Sequence, residues 1–206
     1  MKSEELMALA PVVPVVVLED VDSAVPLARA LVAGGLPVIE VTLRTAAALE
    51  SIRRIAAEVP DAVIGAGTIV FPEHAKEAAA AGARFLVSPG CTERLRGAMT
   101  DTGLPFLPGV ASVSEAMALL EQGVTAMKLF PAKASGGTAL LKSIGGPLPQ
   151  LRFCPTGGIT LETAPEYLAL ANVGCVGGTW LTPEAAVKAG DWAHIEELAR
   201  QAAALR

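Results

Sequence analysis

The sequence predicts an α/β fold: a single-domain (β/α)8 TIM barrel, residues 1–206, preceded by a short N-terminal helix. Three observations carry this expectation. Short apolar, β-branched runs recur at 12–18, 36–43, 62–65, 84–87, 104–107, 125–130, 151–154 and 174–177. Between most of them lie Ala/Leu/Glu-rich stretches with helical spacing, at 23–33, 46–58, 72–81, 93–100 and 113–122. The runs start about 20 to 26 residues apart, the period of βα units joined by tight loops, and continuously apolar strands suit a parallel sheet covered on both faces. Eight such units close a barrel. An open doubly wound sheet is the alternative that the same alternation allows.

Punctuation supports the register, element by element. Asp22 can cap the first barrel helix, and Gly34-Gly35 can end it. Gly82, Gly103 and Gly123 end later helices, and Ser112 followed three residues on by Glu115 has capping-box form. The helical pattern is poorest over 135–147, where glycines flank only a short Ala-Leu-Leu-Lys core. No linker, low-complexity tract or composition shift marks a second domain.

Composition narrows the function classes. Sixteen Lys and Arg against twenty-one Asp and Glu give a formal charge of −5, with no basic stretch that could neutralise a run of phosphates, so nucleic acid is not an expected partner. Apolar residues make up 52% of the chain, yet no apolar run approaches the roughly 20 residues that span a bilayer. The first residues carry Glu4 and Glu5 where a secretory signal would be positive, and Pro11 and Pro14 interrupt the Val-rich run that follows; a cytoplasmic protein with no membrane partner is expected. Cys91, Cys154 and Cys175 have neither CxxC spacing nor an even count, which suggests no disulfide framework and no zinc site. His74 and His194, both in helical stretches, offer little from which to build a metal site or a triad, so no metal and no cofactor are expected.

Candidate functional residues stand out where polar side chains interrupt apolar strands. In Val38-Ile39-Glu40-Val41-Thr42-Leu43-Arg44, period-two geometry puts Glu40, Thr42 and Arg44 on one face. The apolar set must face the helices, so Glu40 points into the barrel, where an isolated carboxylate is costly. Its partner is either Arg44, nearer the rim, or another inward cation. That cation is Lys128 in Ala126-Met127-Lys128-Leu129-Phe130-Pro131, which shares its face with Phe130. Desolvation favours a neutral amine, the nucleophile that attacks a carbonyl carbon to form a Schiff base. The plainer alternative is a lysine that snorkels to solvent. Lys133, in a Pro/Gly/Ser loop five residues on, is a rival amine that the pattern leaves solvated.

The strand ends are small or tight: Gly65-Ala66-Gly67-Thr68, Ser88-Pro89-Gly90, Pro108-Gly109-Val110 and Pro155-Thr156-Gly157-Gly158. They leave room for a ligand above the core, and Thr68 and Thr156 offer it hydroxyls. Gly157-Gly158 and Gly177-Gly178-Thr179 follow strands seven and eight, the loops where such barrels often bind phosphate through backbone amides. Turn geometry alone would also account for these glycines.

Taken together, these segments resemble the 2-keto-3-deoxy-6-phosphogluconate (KDPG) aldolase family, class I aldolases that work through a lysine Schiff base. The resemblance runs nearly end to end. It is carried by Val12-Val13-Pro14-Val15, Leu31-Val32-Ala33-Gly34-Gly35, Glu40-Val41-Thr42-Leu43-Arg44-Thr45, Gly65-Ala66-Gly67-Thr68, Ser88-Pro89-Gly90, Lys128-Leu129-Phe130-Pro131-Ala132, Arg152-Phe153-Cys154-Pro155-Thr156-Gly157-Gly158-Ile159 and Gly177-Gly178-Thr179-Trp180-Leu181. It implies Lys128 as the Schiff-base lysine and Glu40 as the general acid/base. It also implies Arg44 and Thr68 as the clamp for a pyruvyl carboxylate, Thr156 beside the imine, Pro89 and Phe130 lining the pocket, and phosphate at Gly157, Gly158 and Thr179. Two positions depart from the pattern. Thr179 stands where Ser is common, and Lys133 where Glu usually follows the F-P-A block.

The implied reaction is reversible cleavage of 2-dehydro-3-deoxy-6-phosphogluconate to pyruvate and glyceraldehyde 3-phosphate, by a homotrimer acting on a phosphorylated 2-oxo sugar acid. Three other readings stay open at this point. A 4-hydroxy-2-oxoglutarate aldolase would use the same imine without a phosphate. Another phosphate-binding barrel, an epimerase or synthase, would need no imine. A non-catalytic or engineered assembly subunit could use Ala46-Ala47-Ala48-Leu49 and residues 201–205 as contact surface.

Overall fold

Apolar strands flanked by Ala-rich helices bury both faces of the strands apart from a few of their first residues, and the computed structural model, which describes residues 1–205, shows that arrangement. Its elements, in chain order, are α1 (Ser3–Ala8), β1 (Val12–Val16), α2 (Ala24–Ala33), β2 (Val38–Thr42), α3 (Ala48–Glu58), β3 (Val63–Gly67), α4 (Pro72–Ala80), β4 (Leu86–Val87), α5 (Glu93–Asp101), β5 (Phe106–Leu107), β6 (Gly109–Val110), α6 (Val113–Leu120), β7 (Ala126–Leu129), α7 (Gly137–Gly145), β8 (Arg152–Pro155), α8 (Ala164–Leu168), β9 (Val176–Gly178), α9 (Glu184–Ala189) and α10 (Trp192–Ala203). The short helix before β1 is present, and the glycine-flanked stretch at 135–147 does form a helix, α7.

All strand pairings are parallel. The expected unbroken eight-stranded ladder is realised as two sheets, one ordered β5-β4-β3-β2-β1-β9 and one ordered β6-β7-β8. Proline explains one interruption. Pro108 has no N–H to give to a ladder, so the strand breaks there, with β5 inside the run expected at 104–107 and β6 just beyond it. Its carbonyl still accepts from Lys128 N at 2.9 Å, which holds β6 against β7. Between β8 and β9 the contact thins to isolated bridges, Phe153 with Val173 and Thr156 with Gly177.

Side-chain alternation separates two apolar clusters. Ile39, Val41, Ile64, Met127, Leu129 and Phe153 point outward and pack with the helices. The inward set, Val13, Val38, Phe85, Val87, Leu107, Ala126, Cys154 and Cys175, forms a second cluster with Leu6 and Met7 of α1. Helix α1 therefore plugs the amino-terminal end of the strands. Ser3 Oγ donates to Phe106 O at 3.0 Å and the Thr125 hydroxyl donates to Glu4, which tie the plug in place. Gly174 leaves the space that Met7 fills, because a Cβ there would lie 2.9 Å from Met7 Cβ. With its lower end filled by hydrocarbon, the interior can admit polar groups only toward the carboxyl ends of the strands.

One capping expectation needs correcting. A 3₁₀ turn, Val21–Ser23, precedes α2, and Asp20 caps that turn by accepting from Asp22 N at 3.1 Å. Asp22 caps nothing and pairs instead with Arg54 at 2.9 Å. The Ser112–Glu115 capping box on α6 forms as expected, with Ser112 N donating to Glu115 Oε2 at 2.8 Å. Gly35, Gly82, Gly103 and Gly123 all take positive φ at helix ends, a conformation glycine adopts without penalty.

Candidate functional site

One step up each strand from the apolar interior layer, the inward positions change character. Val38 gives way to Glu40 on β2, Ala126 to Lys128 on β7, and Cys154 to Thr156 after β8. Glu40 is 3% exposed and Lys128 5% exposed, and Lys128 Nζ lies 3.4 Å from Glu40 Oε1. That is longer than the 2.7–2.9 Å usual for a charge-assisted bond. The two groups face each other across the interior within proton-transfer reach, without being locked into a tight pair. Lys128 does not snorkel outward, and Arg44 does not take Glu40.

Arg44 lies exposed on the rim, where its Nε donates to Thr68 Oγ1 at 3.2 Å. Thr68 is the one non-glycine described residue with positive φ, +59°. A β-branched residue there is strained, and such strain is characteristic of positions that orient a functional group. Together the guanidinium and the hydroxyl present adjacent donors to an anion. Thr42, the remaining inward residue of β2, is fully buried and donates to Val16 O at 3.0 Å, tying β2 to β1.

Phe130 closes the other flank. Its ring centroid is 5.3 Å from Lys128 Nζ, within cation–π range, and its edge meets Gly157. Pro89 approaches from β4: a Cβ on Gly109, the register partner of Lys128, would fall 2.2 Å from the Pro89 carbonyl carbon. Thr156 is buried, with weak contacts to Cys154 O at 3.5 Å and Cys154 Sγ at 3.9 Å.

Glycines make the space for these side chains, a role the sequence reading did not assign. A Cβ on Gly67 would stand 2.0 Å from Glu40 Oε1, and one on Gly177 would stand 2.2 Å from Thr156 Oγ1. Cys154 also lines the site, below Thr156 on the same inward face. Its thiol is held below the ordinary value by a hydrogen bond with Cys175, reinforced by the nearby Lys128 charge and opposed by burial. Its position beside Lys128 follows from the β7–β8 register, which sequence spacing does not reveal.

Gly157 and Gly158 take φ of +103° and +76° and turn the chain at the carboxyl end of β8. Thr179 lies exposed just after β9. Beside it a cavity of about 570 Å³ runs from Thr179 and Thr182 to Val15, the register partner of Glu40. The loops after β7 and β8 are joined by Ala132 N donating to Thr156 O at 2.8 Å and Lys133 N donating to Gly157 O at 3.1 Å. The Lys133 side chain is exposed, outside the buried pair. The fold thus brings every candidate residue to the carboxyl ends of the strands, while His74 and His194 sit on α4 and α10.

Comparison with known proteins agrees with this geometry. The family profile described as "Aldolase: KDPG and KHG aldolase" matches residues 3–198. The 2-dehydro-3-deoxy-phosphogluconate aldolase of Pseudoalteromonas atlantica is 54% identical over 202 residues, 98% of this chain and 94% of that one. The crystal structure of a KDPG aldolase from Legionella pneumophila, with pyruvate captured at low pH as a covalent carbinolamine intermediate, superposes with a TM-score of 0.96 at 46% identity, covering 98% of each chain. That of the Zymomonas mobilis ZM4 enzyme with 3-phosphoglycerate gives 0.94 at 46% identity, covering 98% of this chain and 95% of that one.

Proposed function

The chain belongs to the KDPG and KHG aldolase family, and from that premise we propose that Lys128 is its Schiff-base nucleophile and Glu40 its general acid and base. The protein is a carbon–carbon lyase that cleaves 2-dehydro-3-deoxy-6-phosphogluconate reversibly to pyruvate and glyceraldehyde 3-phosphate. The observation that carries the residue assignment is the buried Lys128–Glu40 contact of 3.4 Å at the carboxyl end of the strands.

In this mechanism the Lys128 amine adds to the C2 carbonyl, and Glu40 protonates the carbinolamine hydroxyl so that it leaves as water. The resulting iminium draws electrons from the C3–C4 bond. Glu40 takes the C4 hydroxyl proton as that bond breaks, the bonding pair passes into an enamine, and C4 departs as the aldehyde of glyceraldehyde 3-phosphate. Glu40 then returns a proton to C3, and water hydrolyses the imine to release pyruvate. Because the iminium is itself the electron sink, these steps call for no added cofactor. Arg44 and Thr68 clamp the C1 carboxylate, Thr156, Phe130 and Pro89 enclose the reacting carbons, and the Gly157, Gly158 and Thr179 backbone and hydroxyl hold the phosphate. The same imine serves 4-hydroxy-2-oxoglutarate, whose C4 bears a single carboxylate in place of the phosphorylated two-carbon tail.

This reading also takes residues 1–206 as one (β/α)8 barrel domain. The single interior cluster, to which β1, β2, β4, β5, β7 and β8 all contribute, supports closure of the two sheets around it. The active form is a cytoplasmic homotrimer. Val70 and Phe71 after β3, with Phe71 59% exposed, supply apolar surface for a second copy to cover. A phosphorylated substrate that does not cross membranes places the enzyme where that substrate is made. Borohydride reduction in the presence of pyruvate tests the central assignment. A covalent pyruvyl adduct on Lys128 is expected, and an adduct on Lys133 instead, or on no lysine, would overturn it.

A further inference from the structure

We propose that Lys133 supplies the positive charge at the phosphate end of the site and sets the preference for a phosphorylated over an unphosphorylated 2-oxo acid. The inference rests on the assignment of phosphate to Gly157, Gly158 and Thr179. Three observations lead to it.

First, the Lys133 stem lies across Gly158. Its Cβ and Cδ are 2.8 and 3.0 Å from the point where a Gly158 Cβ would stand, and Cγ is 3.5 Å away. The ammonium lies two bonds beyond Cδ, so it stays within about 6 Å of that point. Second, Lys133 is fastened to the same loop through its backbone, with its N–H donating to Gly157 O at 3.1 Å. The base of the side chain is therefore fixed relative to the glycine pair. Third, the local charge inventory is otherwise acidic. The cavity beside Thr179 is lined by Glu19, Asp20 and Glu184, and its lysine, Lys188, is already paired with Glu184. At the opposite end Arg44 is engaged with Thr68. Among the described residues Lys133 has no ion-pair partner.

A phosphate monoester carries about −1.5 to −2 charges at neutral pH. Backbone amides can hold it, and with Glu19 and Asp20 on the cavity wall beside Thr179 an uncommitted ammonium offsets their repulsion of an anion. Lys133 is exposed and stands apart from the Lys128–Glu40 pair, so its contribution scales with the charge on the distal end of the substrate. It acts on recognition, not on the imine. This accounts for the lysine at a position where the family resemblance leads one to expect glutamate: here the loop after β7 adds attraction for an anion.

Lys133→Met keeps the stem over Gly158 and removes the charge, Lys133→Glu reverses it, and Lys133→Arg restores it. The measurement is kcat/KM for 2-dehydro-3-deoxy-6-phosphogluconate and for 4-hydroxy-2-oxoglutarate, at low ionic strength and at high salt. For Lys133→Met the ratio of the two is expected to fall about two- to fivefold at low salt, the range for an exposed ion pair. The change should reside in KM, deepen in Lys133→Glu and be absent in Lys133→Arg. It should shrink at about 0.5 M salt, where charges are screened within roughly 4 Å. A ratio that stays fixed, whether both rates hold or both fall together, overturns the role of Lys133. Failure of the underlying aldolase site would show separately, as wild-type protein that gives no pyruvyl adduct on Lys128.

Discussion

Gly67→Ala is the most direct test of how the site is built, because the substitution adds one methyl group and no charge. The new Cβ would stand 2.0 Å from Glu40 Oε1 and 2.6 Å from both Cδ and Cγ. An ordinary non-bonded contact is about 3.5 Å, so the carboxylate must retreat by about 1.5 Å. Gly67 is not among the residues with positive φ, so alanine strains no backbone there. The cost falls on the side chain it meets. Overpacking of this kind costs about 1–3 kcal/mol of stability, which a chain of this size should survive. Catalysis should suffer more. Displacing a catalytic group by about 1 Å can cost about 10²-fold, or about 2.7 kcal/mol of barrier, and complete loss of a general acid/base costs up to about 10⁴-fold. The expected result is kcat for aldol cleavage reduced by about 10²-fold or more, in a protein that still melts cooperatively and still gives a borohydride-trapped pyruvyl adduct on Lys128. Gly97→Ala is the control: that glycine lies within α5 with open space around it, so alanine should stabilise the helix slightly and leave turnover alone. A Gly67→Ala enzyme with kcat within threefold of wild type would refute the argument that Glu40 is held in place by the space at Gly67. So would a folded variant that loses the trapped adduct, since the damage would then lie at Lys128.

Three further outcomes are expected. Glu40→Gln should still trap pyruvate on Lys128 while kcat for cleavage falls about 10²- to 10⁴-fold; retention of more than a tenth of wild-type turnover would remove Glu40 from its role. Glu115 sits below its ordinary value of 4.5, chiefly through the Ala111 backbone N–H at 2.7 Å and also through Ser112, so its contribution is present above that value and is lost as pH falls through the depressed folded one. Glu115→Ala should therefore cost about 1 kcal/mol, about 2–4 °C in Tm, near neutral pH, and a gap that persisted unchanged into acid would contradict the capping account. Burial pushes the Cys91 thiol up to about 11, with Arg96 opposing, so the folded state holds its proton and stability falls as pH rises from about 9 to 11. Alkylation of the half-buried Cys91 at pH 8, followed by peptide mass, should run about 100-fold slower than that of an unperturbed thiol; a rate within tenfold would mean that partial burial does not hold the thiol protonated.

Much of the site was legible because its key residues break a local rule. Ile39 and Val41 must face the helices, so strand alternation alone sends Glu40 inward, and the same reasoning on Met127 and Leu129 sends Lys128 to meet it. A carboxylate and an amine on apolar strands cannot stay alone in such an interior, so each predicts the other. What stayed hidden depends on distances across the chain. That Gly67 exists for Glu40, and Gly177 for Thr156, follows from the β2–β3 pairing and from the Thr156–Gly177 bridge between β8 and β9; one-dimensional reading sees only small residues at strand ends. The Pro108 break and the shift of the cap from Asp22 to Asp20 are failures at element boundaries, where one missing donor or one turn of 3₁₀ helix moves the end. Lys133 is the sharpest instance. In sequence it is a cation in a Pro/Gly/Ser loop and reads as solvated, which is correct as far as exposure goes. Only the joining of the β7 and β8 loops lays its stem on a glycine 25 positions away. Inward residues announce themselves by violating the apolar pattern, whereas a rim residue violates nothing. Charge changes that tune specificity at a barrel mouth are therefore readable only after the loops have been placed.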